Sequence, residues 1–179
     1  MTDDLTDEPS GDLTAGDLTA GDLTDEVTSD VTATGAGDVV LRAATPDEIP
    51  AVLALWARAA KGTSITDDAD GVAALLERDP ECLIVATPAA DTGTVVGTVI
   101  AGWDGWRCHL YRLAVDPAHR RRGIGAALLA AAEARFTALG GRRADAMVLD
   151  GNGLGQRTWK AAGYGPQPQW TRWVKPLDA

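Results

Sequence analysis

The first 38 residues contain no lysine or arginine. They hold 11 of the chain's 26 acidic residues and carry −11, which leaves 15 acidic against 16 basic residues, or +1, for the rest. The formal charge of −10 over 179 residues therefore describes the N-terminal stretch and says little about the remainder. No basic patch stands out, so the sequence lacks the electrostatic footprint of a nucleic-acid-binding surface. Cysteine is equally scarce. Cys82 and Cys108 lack metal-ligand spacing and sit in apolar, strand-like runs, so buried free thiols are expected, with no metal site. No apolar run approaches the roughly 18–20 residues that span a bilayer. The start also lacks the basic and apolar stretches of a signal peptide. A cytoplasmic protein without membrane contact is expected.

What is present begins with a short repeat: Gly11-Asp-Leu-Thr-Ala, Gly16-Asp-Leu-Thr-Ala, Gly21-Asp-Leu-Thr-Asp. Its period is too short for a solenoid unit and its acidity too high to bury lone leucines. Residues 1–37 are read as a disordered, self-repelling tail, and 38–179 as the folded domain. A docking segment for a basic partner, or an extension with no function, stays open for the tail.

The expected elements alternate. Val39–Ala43 reads as a strand. Thr45-Pro-Asp-Glu48 has the form of a capping box with Pro at the first helical position, opening a helix over about 46–60. Asp67–Asp70 opens a second helix that must stop before Pro80. Residues 82–87 and 94–103 read as a hairpin and 108–115 as a further strand. An Ala/Leu helix covers about 124–139, followed by a strand at 144–149, a short helix at 154–162 and a last strand at 170–174. An antiparallel front half running into a βαβ crossover implies a mixed central sheet flanked by helices, an α/β (α+β) fold.

The most informative stretch is Leu113-Ala-Val-Asp-Pro-Ala-His-Arg-Arg-Arg-Gly-Ile-Gly-Ala126. A strand ends at Val115, Pro117 stops the ladder, and three arginines precede a Gly-x-Gly that opens an apolar helix. Amides at a helix start lack intrahelical acceptors, and the helix dipole adds roughly half a positive charge there. Glycines 123 and 125 remove the side chains that would keep a phosphate from that backbone, so the turn should bind a pyrophosphate. A P-loop would need Gly-Lys-Ser/Thr, which is absent. A dinucleotide fingerprint would need a third glycine where Leu128 stands.

What remains, Val115-x-Pro117-x-x-Arg120-x-x-Gly123-x-Gly125, resembles the coenzyme A loop of the GNAT superfamily of acetyl-CoA-dependent N-acetyltransferases, Arg/Gln-x-x-Gly-x-Gly/Ala. The resemblance covers about 39–175. It implies a GNAT fold of about six to seven strands with about four helices, acetyl-CoA as co-substrate and a primary amine as acceptor. Leu113, Ala114 and Val115 would bind the acetyl carbonyl and pantetheine through backbone groups. Arg120, which heads the motif, is counted with the coenzyme-binding residues, and Arg121, Arg122, Gly123, Ile124, Gly125 and Ala126 would hold the pyrophosphate. Asn152 resembles the asparagine that contacts the pantetheine arm.

The family pattern breaks in two places. The tyrosine that often protonates the departing thiolate is replaced by Trp159, whose indole is no usable acid and which is expected to pack against coenzyme A. The glutamate base of many protein-acetylating members is replaced by Met147. Replacements lie on Cys108–Val115, where plain alternation puts His109 and Tyr111 on one face with Leu113 and Val115. This resembles the His-Leu-His-x-Leu-Ala-Val strand of arylalkylamine acetyltransferases, which makes His109 the candidate base and Tyr111 the candidate acid or relay. A base is not obligatory. Presenting an aliphatic amine of pKa ~10.4 neutral at pH 7 costs about 4.6 kcal/mol, an α-amine of pKa ~7.7 only about 1 kcal/mol. Acceptor choice would fall to Trp56, Asp67, Asp68, Asp70, Trp103, Asp104, Trp106 and Arg107, which suit a small-molecule or a peptide amine. A non-catalytic acyl-CoA sensor is the alternative, and a homodimer is allowed.

Overall fold

The computed structural model describes residues 38–62 and 64–177. The acidic repeat read as a tail lies outside them. Strand β1, Val39–Ala43, leads through a 3-10 turn at Pro46–Glu48 into helix α1, Ile49–Ala59. The capping signal is realised. The Thr45 amide donates to Glu48 Oε2 at 2.9 Å, and the same carboxylate receives the Arg42 guanidinium through two bonds of 2.6 and 2.7 Å. Helix α1 buries Ile49, Val52, Leu55 and Trp56 at helical spacing. Helix α2, Ala69–Arg78, starts where Asp68 Oδ1 accepts from the Gly71 amide at 2.7 Å, and it buries Val72 and Leu76.

The sheet has the order β1-β2-β3-β4-β5, with β2 at Leu83–Pro88, β3 at Gly97–Trp103, β4 at Cys108–Val115 and β5 at Ala144–Ala146. The first four strands are antiparallel. Helix α3, Ile124–Ala138, crosses over to make β4 and β5 parallel, and α4, Gly153–Ala161, follows. Helices α1 and α2 cover one face, where Val52, Leu55, Trp56, Val72 and Leu76 meet Leu83, Val85, Ile100 and Ala114. Helix α3 covers the other, where Leu128, Leu129, Ala132 and Phe136 meet Val99, Ala101 and Leu110. Strand β2 is covered on both faces, which is why Leu-Ile-Val-Ala-Thr shows no polar alternation. Both cysteines are free and buried, and burial pushes the Cys82 thiol up to about 11. Among the described residues no helix is long and apolar enough to cross a membrane.

The mixed α/β architecture is as expected, with four helices and, among the described residues, five strands where six or seven were anticipated. The difference lies at the C-terminal end. The β4–β5 ladder holds three pairs, Cys108↔Ala144 to Leu110↔Ala146, and β5 ends there instead of reaching residue 149. The run 170–174 forms no strand; Trp170, Trp173 and Val174 are exposed. A strand exists only where a neighbour takes its backbone bonds, and β5 offers an outer edge of three residues.

Burial works against the charge of Glu48, but Arg42 and the Thr45 amide outweigh it and hold the carboxyl below its ordinary pKa. A depressed folded-state value gives stability that is present above the ordinary carboxylate range and lost as pH falls through the depressed value. Glu48→Gln should therefore cost about 1–2 kcal/mol in thermal unfolding at neutral pH. The difference from wild type should shrink steadily below about pH 4.

Candidate active site

The site is organised by an irregularity in β4. Register runs Gly97↔Val115 and Thr98↔Ala114, then resumes at Ile100↔Tyr111. Val99 therefore faces two residues, Arg112 and Leu113, and Arg112 takes a left-handed backbone conformation at φ 51°. This is a β-bulge, which adds one residue to one strand and reverses the alternation beyond it. The expectation that His109 and Tyr111 share a face with Leu113 and Val115 is corrected by it. Leu113 and Val115 pack into the α3 cluster, while Ala114 joins the α1/α2 cluster. His109 and Tyr111 share the α1/α2 side with Arg112 and Ala114.

Buried groups hold the bulge from behind. The Trp56 indole donates to Thr98 Oγ1 at 2.9 Å, and the Thr98 hydroxyl donates to the Arg112 carbonyl at 2.9 Å. Beyond Leu110↔Ala146, β4 runs on to Val115 with β3 on one side and, among the described residues, no strand on the β5 side, so β4 and β5 open toward the C-terminal end of β4. At the mouth of the opening, Gly62 of the α1–α2 loop abuts Leu149: a Cβ at Gly62 would lie 3.1 Å from Leu149 Cδ1.

The arginine loop closes the C-terminal end of β4. Asp116 Oδ1 accepts from the Ala118 amide at 2.9 Å and opens a 3-10 turn at Pro117–His119. The Arg120 guanidinium turns back into the protein, donating to the carbonyls of Val115 at 3.0 Å and Ala59 at 3.2 Å. It shapes the loop. Arg121 and Gly123 both have left-handed backbones, at φ 63° and 81°, and Ile124 starts α3. Side chains 121 and 122 are exposed and have no hydrogen-bond or salt-bridge partner among the described residues. A Cβ at Gly125 would meet only Val115 Cγ2, at 3.7 Å. The end of β4 and the first turn of α3 thus form one surface, with free helix amides and two unpaired guanidinium groups.

On the acceptor side, the His109 and Tyr111 rings lie 6.0 Å apart and inclined by 30°. His109 Nε2 stands 3.8 Å from Asp104 Oδ2. Asp104 is itself fixed at the β3–β4 turn, where Oδ1 accepts from the Arg107 amide at 2.6 Å and the Trp106 amide at 2.8 Å. Those two bonds hold its carboxyl below the usual range. Burial raises the Tyr111 phenol, so it keeps its proton.

The structure places the remaining expected residues apart from that pair. Asn152 caps α4, accepting from the Gly155 amide at 3.0 Å through Oδ1. Trp159 packs edge-on to Tyr164, with centroids 4.9 Å apart, against the α3 cluster. Met147 is exposed just past β5. The role of Thr98 and Arg112 was not foreseen from the sequence.

A mixed sheet that opens between two parallel strands, with the start of α3 at the opening, is an architecture of the α/β class. The chain belongs to the acetyltransferase (GNAT) family, whose model matches residues 49–164, and it is an acyltransferase enzyme. It is 34% identical over 106 residues to an acetyltransferase of Pectobacterium atrosepticum, an alignment covering 59% of this chain and 73% of that protein. The structure of Ard1 from Thermoplasma volcanium superposes with a TM-score of 0.60 at 25% identity, covering 70% of this chain and 82% of that one. The aminoglycoside N-acetyltransferase AAC(6')-Iy in complex with CoA shares the fold at a TM-score of 0.60 and 19% identity, covering 80% of this chain and 97% of that one.

Thr98→Val keeps the shape of the side chain but leaves the Trp56 N–H and the Arg112 carbonyl without partners. Chemical denaturation should show a loss of about 2 kcal/mol, the cost of burying unsatisfied polar groups.

Proposed function

We propose that the protein moves an acetyl group from acetyl-CoA to a primary amine by direct attack in a ternary complex. One observation carries this reading: the opening beside the β4 bulge has the start of α3 with exposed Arg121 and Arg122 at one end and His109 with Tyr111 on the α1/α2 side. The fold shared with a CoA complex supports coenzyme A as the acyl carrier.

In this reading the pyrophosphate lies on the amides of Gly123, Ile124, Gly125 and Ala126, with Arg121 and Arg122 beside it. Arg120 gives the loop its shape from within. The pantetheine arm follows the unpaired edge of Leu113, Ala114 and Val115, where backbone amides can receive the thioester oxygen as it gains charge. Asn152 keeps its Nδ2 for the arm while Oδ1 caps α4. Trp159 contributes through packing on Tyr164 and α3.

The amine enters on the His109 side. Its nitrogen attacks the thioester carbon, a C–N bond forms, and the C–S bond breaks. An acceptor arriving as an ammonium first gives one proton to His109, directly or through water, and on to solvent, with Asp104 stabilising the imidazolium at 3.8 Å. The second proton, released once the C–N bond has formed, restores the Tyr111 phenol. The thiolate takes a proton from Tyr111, whose raised pKa keeps it protonated at neutral pH. Alignment of amine and thioester supplies up to roughly 7–11 kcal/mol of the acceleration. Asp104 at the entrance favours a cationic small-molecule or peptide amine, while the Trp106 ring is already covered by the Arg107 guanidinium at 4.2 Å.

Two variants test the two ends of the site. Gly125→Asp should fold, since the added Cβ meets only Val115, and should abolish acetyl-CoA binding in calorimetry. Unchanged affinity would remove the phosphate assignment.

His109→Ala should lower kcat/KM for an aliphatic amine by roughly 10²-fold or more at neutral pH. Raising the pH should restore part of the rate by deprotonating the amine in solution, and acetyl-CoA affinity should hold. An unaltered pH profile in an active variant would leave proximity as the mechanism. A protein that binds acetyl-CoA yet releases no coenzyme across an amine library would instead be an acyl-CoA sensor, the reading that Met147 and Trp159 favour.

A further inference from the structure

Arg112 is an unexpected residue to find at a left-handed bulge position. A Cβ makes φ 51° unfavourable, and glycine would adopt it freely. The side chain explains the choice. Its Nε donates to Asp67 Oδ1 at 2.8 Å, its Nη2 meets Asp67 Oδ2, and its Nη1 donates to the Gly62 carbonyl at 3.1 Å. The guanidinium carbon lies 5.6 Å from the Trp56 ring centroid. Both partners of the pair are largely withdrawn from water, with side chains 14% and 19% exposed, which is where a two-pronged charged contact is strongest.

Asp67 is also the centre of its own loop. Its Oδ2 accepts from the Ser64 amide at 2.7 Å, and its amide donates to the Ser64 carbonyl at 3.1 Å. Gly62, at φ 76°, abuts Leu149 just beyond β5. The α1–α2 loop therefore reaches from α1 past β4 to the far wall of the opening, and Arg112 ties it down at two points. The same residue carries the carbonyl that Thr98 fixes. One arginine thus joins the loop over the acceptor side to the bulge that leads into Leu113–Val115.

We propose that Arg112 is a positioning residue that keeps the α1–α2 loop in register with the acyl-receiving edge of β4, so that acceptor use depends on the Arg112–Asp67 pair while acetyl-CoA binding does not. This rests on the acyl-transfer reading above. The guanidinium touches neither reactant; it acts through the loop and through the backbone at 112.

The test compares Arg112→Gly, Asp67→Asn and the double variant with wild type. Arg112→Gly is chosen because glycine accepts the left-handed backbone, so the bulge survives while the tether goes. Acetyl-CoA affinity is read by calorimetry. Acceptor kinetics use the most active of spermidine, kanamycin and a hexapeptide with a free N-terminus. Hydrogen exchange at the Ser64 amide reads the loop directly. Each single variant should bind acetyl-CoA within about twofold of wild type and lose about tenfold or more in acceptor kcat/KM, with at least tenfold faster exchange at Ser64. The double variant should be no worse than Arg112→Gly, because Asp67→Asn acts on a contact that Arg112→Gly already removes. Arg112→Lys, which keeps the charge without the fork, should recover only part of the loss.

Acceptor kcat/KM and Ser64 exchange within twofold of wild type in either folded variant would overturn the proposal. So would an equal loss of acetyl-CoA affinity. Should Arg112→Gly fail to fold, Asp67→Asn decides alone, since it keeps the size of the side chain and leaves the residues of β4 unchanged. A wild-type protein that neither binds acetyl-CoA nor acylates any probe would sink the acyl-transfer reading and the tether with it. An active wild type with unaffected variants sinks the tether alone.

Discussion

A single buried hydroxyl holds the arrangement together. Thr98 sits on β3 with no exposed surface, takes the indole proton of Trp56 and gives its own to the carbonyl of Arg112. It thereby fixes α1 to β3 and β3 to the bulge in β4. The bulge sends Leu113 and Val115 into the α3 core and Arg112 and Ala114 to the opposite side. Remove the bulge and the alternation would drive Arg112 toward the α3 face, where Val99, Leu110 and Leu128 leave no place for a charge. The core and the site are thus specified by the same local break in the ladder.

The arginine loop follows from a similar division of labour. The three consecutive arginines are adjacent in sequence, yet their fates differ. Arg120 spends its guanidinium on the Val115 and Ala59 carbonyls and ties the end of β4 to the end of α1. Arg58 reinforces this corner by meeting Asp116 at 2.8 Å. Only Arg121 and Arg122 remain available to an anion, beside a helix start whose amides have no internal acceptors. Scaffold and ligand surface alternate within three residues.

Much of this was legible in the sequence, and what was not has physical causes. The capping box at Thr45–Glu48, the cap at Asp68 and the Gly-x-Gly at 123–125 are local signals, fixed within four residues of chain, and the helices begin where those signals put them. The strand alternation of β4 failed because a bulge depends on the partner strand. A hint existed: counting by twos from Cys108 and Leu110 leads to Arg112, a charge in what would be a core position. That misfit is what a reversal of phase looks like from sequence. Asp67 was legible as part of a helix start but not as the partner of a residue 45 positions away. Residues 170–174 are rich in the aromatic and β-branched residues that strands favour, yet nothing local tells that β5 would be only three residues long.

The two walls of the opening differ greatly in weight. Strand β4 is backed by three further strands and by helices on both sides of the sheet, whereas β5 is joined to it by three residue pairs. The segment that continues from β5 through α4 is tied back by Tyr164, whose hydroxyl meets Glu133 at 2.9 Å, and by the packing of Trp159 and Tyr164 on the α3 cluster. A cleft with one massive and one slender side does not deform symmetrically. Any ligand wedged into it finds a fixed reference surface in β4 and a compliant jaw in the β5–α4 segment, so adjustment to different occupants is borne by the C-terminal part of the chain while the reacting edge stays where the bulge puts it.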